Sequence, residues 1–163
     1  MKGIRRKEKE LSDRKEMIEI LTKAQYITVA ICHEKEPYLV TLSHGYDEEK
    51  ECIYFHCAKK GKKIDILSEN PIVWGQALND LGYVQGACDH LYVTTHFRGR
   101  VTFISDKAEK EHALKVMIRG IDDDPDKVIS EQITEKSVKR VNIGRIDIDY
   151  MSGKKSTEVI IQT

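Results

Sequence analysis

Aromatic side chains are scarce in this sequence, at 7% of the chain, and neither sign of charge prevails. The 27 basic and 27 acidic residues cancel. With no net field and few rings for base stacking, neither a nucleic acid nor an anionic membrane is the expected partner; the basic start RRKEKE is itself interleaved with glutamate. Any anion site must therefore be local. No apolar run approaches the roughly 18 residues that span a bilayer. The opening MKGIRRKEKELSDRKE lacks the apolar segment of a secretory signal. The four cysteines, Cys32, Cys52, Cys57 and Cys88, have no CxxC spacing, so free thiols in a cytoplasmic protein are expected rather than a disulfide framework.

The common catalytic signatures are missing as well. There is no GxSxG elbow, no GxxxxGK[ST] phosphate loop and no GxGxxG fingerprint. The histidines (His33, His44, His56, His90, His96, His112) form no HxxxH or HExxH pair. Asp122, Asp124 and Asp126 imitate the first ligands of a calcium loop, but Lys127 stands where the turn glycine belongs and Ile133 where the bidentate glutamate belongs. No metal site is expected.

What is present is a strand-rich chain of one domain, residues 1–163, with a polar N-terminal arm (1–11) and a C-terminal tail (152–163). Asp13 with Glu16 resembles a capping box and opens a helix near 13–24. YITVAIC (26–32) and PYLVTLS (37–43) read as a hairpin, and CIYFHCA (52–58) as a third strand. A short helix over 62–70 stops at Asn70-Pro71. PIVWGQAL (71–78) is a strand, 79–90 a loop, and 91–105 a long strand in which Gly99 signals a bulge. Asp106 opens a helix to Gly120, a second follows near 126–136, and 141–151 closes the sheet. This order predicts a mainly β fold, a small barrel with peripheral helices.

One stretch concentrates chemistry. In YFHCAKKGKK (54–63) an apolar strand runs through His56 and Cys57 into four lysines around one glycine. Lys62 and Lys63 fall at the start of the predicted short helix, where their charge opposes the helix dipole unless an anion lies between them. Ordinary surface lysine is the competing reading, and composition alone favours it.

Taken in order, RRKE (5–8), PYLVTLSHGYD (37–47), IYFHCAKKGKKIDILSENP (53–71) and FRGRVTFISDKAEKEHAL (97–114) resemble the pyridoxamine 5′-phosphate oxidase-like flavoproteins, most of all the branch with nitroimidazole-resistance proteins. The resemblance covers roughly residues 3–150 and implies a six-stranded split β-barrel that binds FMN at the interface of a homodimer. It implies that Lys62 and Lys63 hold the FMN phosphate, that His56, Cys57 and Ala58 follow the ribityl chain, and that Leu42, Ser43, His44 and Gly45 offer backbone groups to the ring. Thr94 and Thr95 would reach the flavin of the second subunit. The implied activity is reduction of a small, flat compound, nitroaromatics included, with His56 as the candidate protonating or orienting group; a strand histidine that only bonds the cofactor is the alternative. The close EVIIQT lacks the arginine-rich element of true pyridoxamine phosphate oxidases, which argues against vitamin B6 chemistry. A non-enzymatic flavin or haem carrier is the other reading, with His56, His90 or His96 available to iron.

Overall fold

The computed structural model describes residues 4–157. The arm is docked where it can be seen: after a 3₁₀ turn at Lys7–Lys9, Glu10–Leu11 (β1) pairs with the last strand, burying Leu11 to 3% exposure. Helix α1 (Arg14–Lys23) starts at Asp13, whose carboxylate accepts from the Lys15 amide at 2.8 Å rather than closing a box with Glu16. Its buried face, Met17, Ile20 and Leu21, lies on the sheet. The remaining strands are β2 (Ile27–His33), β3 (Glu36–Leu42), β4 (His44–Asp47), β5 (Cys52–Cys57), β6 (Ile72–Val84), β7 (Asp89–Ile104) and β8 (Asn142–Lys155). Between them come α2 (Lys62–Glu69), α3 (Lys107–Ile121), α4 (Pro125–Gln132) and α5 (Glu135–Arg140). No helix among the described residues is long and apolar enough to cross a membrane.

The described strands form one antiparallel sheet in the order β3-β2-β6-β7-β8-β5-β4, with β1 attached to β8. The two ends of that path are neighbours in sequence, separated only by Ser43. A single bent segment thus pairs with β2 through its first half and with β5 through its second, and the hydrogen-bond ladder does not close. The expected mainly β barrel with peripheral helices forms, split rather than closed. Among the described residues it has eight strands, not six, because β4 follows the expected strand beyond the bend at Ser43 and the arm adds β1.

Three further expectations change. The loop expected at 79–90 is mostly hairpin: β6 and β7 continue to Val84 and Asp89, and a register shift between Asp80 and Tyr83 interrupts the alternation that would have revealed them. The helix expected over 126–136 is two helices, because Thr134 accepts from the Ser137 amide and Ser137 Oγ from the Thr134 amide, a capping box that starts a new helix. The supposed tail from 152 belongs to β8 as far as Lys155, and buried Ser156 exchanges hydrogen bonds with Tyr92; EVIIQT lies outside the described residues. The bulge expected at Gly99 is present as a register shift between Arg98 and Gly99 against β8.

Two aromatic rings organise the core. Phe55 lies over Gly144 on β8, where a Cβ would fall 2.2 Å from the ring, and Phe97 covers Gly75 on β6 in the same way. Ile53, Val29 and Ile146 fill in around them at 2% exposure or less, each buried aliphatic side chain contributing about 1.5–3 kcal/mol. On the other face of β4 and β5, α3 packs over Tyr54 and Cys52.

Candidate functional site

The lips of the split are β3 and the free end of β5. β3 pairs only with β2 among the described residues, so its other edge leaves backbone donors and acceptors open. On β5, pairing to β4 stops at Phe55, opposite His44; His56 and Cys57 keep only β8. Two backbone edges therefore diverge from the bend at Ser43.

Helix α2 sits at the mouth of this split. Gly61 is its N-cap residue, with φ 128° and open space where a Cβ would be, and no side chain caps the helix. The Lys62 Nζ lies 4.4 Å from the ring centroid of Tyr38 on β3, and the Lys63 Nζ 5.9 Å from that of Phe55 on β5. The two lysines thus reach both lips, and neither makes an ion pair among the described residues. Cys57 faces the core side, near Lys63; burial pushes its thiol up, partly offset by Lys63 and by the amide of Asn142, which donates to Sγ at 3.4 Å. His56, one residue earlier, is exposed on the opposite face, the one that Tyr54 and α3 share. Asn142 also donates to the Ala58 carbonyl at 3.4 Å, fixing the end of the strand.

The fold therefore brings Cys57, Lys62 and Lys63 together at the mouth of the split, with Ala58 at the end of β5 and Leu42 buried at the bend, while His56 faces the other side of the strand. The side chains of His44, Thr94 and Thr95 are held by hydrogen bonds within the chain. The His44 Nε2–H donates to the Leu21 carbonyl at 2.8 Å, pinning the bend to α1, and Nδ1 is buried without a partner among the described residues. Burial outweighs that bond and lowers the His44 pKa. Gly45 is close to α3 rather than to an open cradle: a Cβ there would meet Met117 Cα at 2.8 Å. Thr94 donates to the Ala77 carbonyl and Thr95 to the Met17 carbonyl, at 2.8 and 2.9 Å, on a strand far along the sheet path from both lips. Tyr38 and Asn142 were not foreseen. Tyr38 carries no signal beyond its place in an apolar strand, and Asn142 lies 85 residues from Cys57.

Behind β5, the other polar cluster is paired through ion pairs and hydrogen bonds. Tyr54 donates to Glu109 at 3.0 Å, and Arg145 donates to Glu109 at 2.7 Å and to Asp147 at 3.2 Å. His112 donates to Asp47 at 2.5 Å, and Asp47 also accepts from the Glu49 and Lys50 amides at 3.1 Å. Among the described residues no cluster of metal-ligating side chains occurs, and the cysteines are free thiols.

The family model described as pyridoxamine 5′-phosphate oxidase matches residues 13–155, nearly the whole described fold. The chain belongs to the pyridoxamine 5′-phosphate oxidase family. Among solved structures, a candidate 5-nitroimidazole antibiotic resistance protein of Bacteroides thetaiotaomicron is 27% identical, with a TM-score of 0.75 over 90% of this chain and 86% of that one. The flavocytochrome Anf3 of Azotobacter vinelandii gives 0.77 at 18% identity, over 98% and 75%. An FAD and haem binding protein of Mycobacterium smegmatis gives 0.75 at 16% identity, over 95% and 77%. At those lower identities the oxidase-family fold is what is shared. No curated protein matches the chain.

Proposed function

We propose that this oxidase-family chain is an FMN-dependent oxidoreductase that reduces a small, flat compound, nitroaromatics among the candidates. One observation carries the reading: an uncapped helix start and two unpaired lysines stand at the mouth of a split whose edges leave backbone groups open. The residues fit a phosphorylated flavin. Lys62, Lys63 and the free amides of α2 would hold the phosphate through charge-assisted hydrogen bonds, while the edges of β3 and of His56–Ala58 would meet the ribityl chain and ring. The bound flavin supplies the electron pair. The protein supplies position: Tyr38 and Phe55 stand beside the two lysines that would hold the phosphate, while His56, expected as the proton donor, is exposed on the opposite face of β5.

A homodimer fits the outer sheet face. Leu39, Ala30, Trp74, Arg98 and Tyr150 lie in one cross-strand row over five strands, with Leu39 64% and Trp74 40% exposed. Tyr26 and Leu78 extend this apolar patch, the kind of surface that a second copy covers. A haem carrier has one supporting feature, His96, half-buried on the same face with no hydrogen bond to its ring nitrogens among the described residues.

The deciding experiment is the visible spectrum of the purified protein before and after FMN, followed through gel filtration. The two bands of oxidised flavin co-eluting at dimer size are expected. A Soret band instead would transfer the reading to haem, and a colourless protein that retains neither would end it.

A further inference from the structure

Between α1 and β4 the fold leaves polar groups unanswered. Side chains alternate along β4, so Gly45 faces α3 while His44 and Tyr46 face α1. His44 fastens the two elements through its bond to the Leu21 carbonyl. Tyr46 is 8% exposed and packs in the apolar core, yet its hydroxyl has no hydrogen-bond partner among the described residues. The same holds for Oε2 of Glu19 on α1, whose Oε1 accepts from Lys23 on the same helix. Both atoms are closed to water, where an unmade hydrogen bond is costly. Both residues line one cavity of about 470 Å³, the size of a small-molecule site. Ile18 and the Tyr46 ring make much of its wall apolar, and Lys15, Lys23, Glu48 and Glu51 form its rim, with Glu51 held by Arg14 at 2.9 Å. The rim side chains are long and exposed, so rotamer changes alone can open the way to the buried atoms. Burial holds the Tyr46 pKa above its ordinary value, and the hydroxyl keeps a proton to donate.

We propose that this cavity binds a small aromatic carboxamide, its ring against Ile18 and Tyr46, its N–H donating to Glu19 Oε2 and its carbonyl accepting from the Tyr46 hydroxyl. The unanswered groups dictate that class. A carboxylate oxygen can only accept and the hydroxyl has a proton to give, so the ligand must carry a donor and an acceptor together. An anion would bring like charge to Glu19, and a plain hydrocarbon would leave both buried atoms without partners. The site is independent of the flavin reading, since none of its residues stands at the mouth of the split.

The test is a titration of the full chain with benzamide, followed through the backbone amide signals in NMR. Saturable shifts confined to α1 and the turn after β4 are expected, with a Kd no weaker than about 1 mM. Acetophenone lacks the donor, and benzoate lacks it and adds a negative charge, so each should bind at least about tenfold more weakly. Glu19→Met should weaken benzamide by at least about tenfold and Tyr46→Phe by about fivefold. Thermal melting separates this role from a structural one. Tyr46→Phe removes a hydroxyl that the fold leaves unanswered, so the ligand-free variant should melt no lower than the native chain. A lower melting temperature would mean that the fold itself uses the hydroxyl, and would overturn the proposal. So would the absence of saturable shifts, shifts centred on α2, equal binding of the three probes, or variants that bind benzamide as the native chain does.

Discussion

Two polar regions flank the end of β5, and they are built from the same residue types to opposite ends. Behind the strand, Tyr54, Glu109, Arg145, Asp147, Asp47 and His112 answer one another donor for acceptor, in the half-buried seam under α3. Charges taken out of water must be paired there, since an unmatched one costs several kcal/mol. Burial alone would raise the Asp47 and Glu109 pKa values. The bonds from His112 and the Lys50 and Glu49 amides at Asp47, and from Arg145 and Tyr54 at Glu109, reverse that and hold both low. In front of the strand, at the mouth of the split, Lys62 and Lys63 meet only aromatic faces. They repel each other and oppose the dipole of the helix they start. Charge that is already answered serves the fold; charge left unanswered on ordered backbone is what the proposed flavin site rests on.

The largest effect should come from breaking the unanswered side. Lys62→Ala with Lys63→Ala removes two charge-assisted partners of the phosphate and should cost about 3 kcal/mol of flavin affinity, roughly two orders of magnitude. The melting temperature of the flavin-free protein should hold or rise slightly, because the helix start loses its misplaced cations. A matching loss of stability would show that these lysines serve the fold after all. Next comes the answered side. Arg145→Met strands Glu109 and Asp147 in a seam where their partner is 27% exposed, between the surface and fully buried cases, so about 2 kcal/mol of stability should go. Chemical denaturation reads this directly, and flavin affinity measured well below the transition should be nearly unchanged.

Much of this contrast was legible in the sequence on one side only. YFHCAKKGKK announces a strand end beside a cationic helix start because its residues are contiguous, and α2 begins at Lys62 as the pattern requires. The seam is invisible in one dimension: Glu109 lies 55 residues from Tyr54 and 36 from Arg145, and nothing local marks them as partners. Gly45 shows how the absence of a side chain can have a structural cause. The space a Cβ would fill there is taken by the backbone of α3 at Met117. β4 went unseen because all four of its residues are buried, leaving no alternation to detect. The side chain of His44 ties the bend to α1, work that no local pattern announces.

Acidification separates the remaining contributions, the larger first. The Asp47 and Glu109 carboxylates, held below their ordinary range, lend stability above the pKa they have in the unfolded chain. That stability is lost as pH falls through their lower folded values, because the unfolded chain takes up protons first. Asp47→Asn should lower the melting temperature at neutral pH and flatten its decline below about pH 4.5. His44 acts earlier and more weakly. Burial keeps its imidazole neutral in the folded protein, whereas the unfolded residue protonates near pH 6.5. Stability should therefore be full above about pH 6.5 and fall as the pH drops toward the lowered folded pKa, before any carboxylate contributes. His44→Gln retains a donor for the Leu21 carbonyl but cannot titrate, so its melting curve between pH 7 and 5 should be flatter than that of the native chain. If both decline in parallel, protonation elsewhere drives the loss, and the pin between the bend and α1 is not what acid releases.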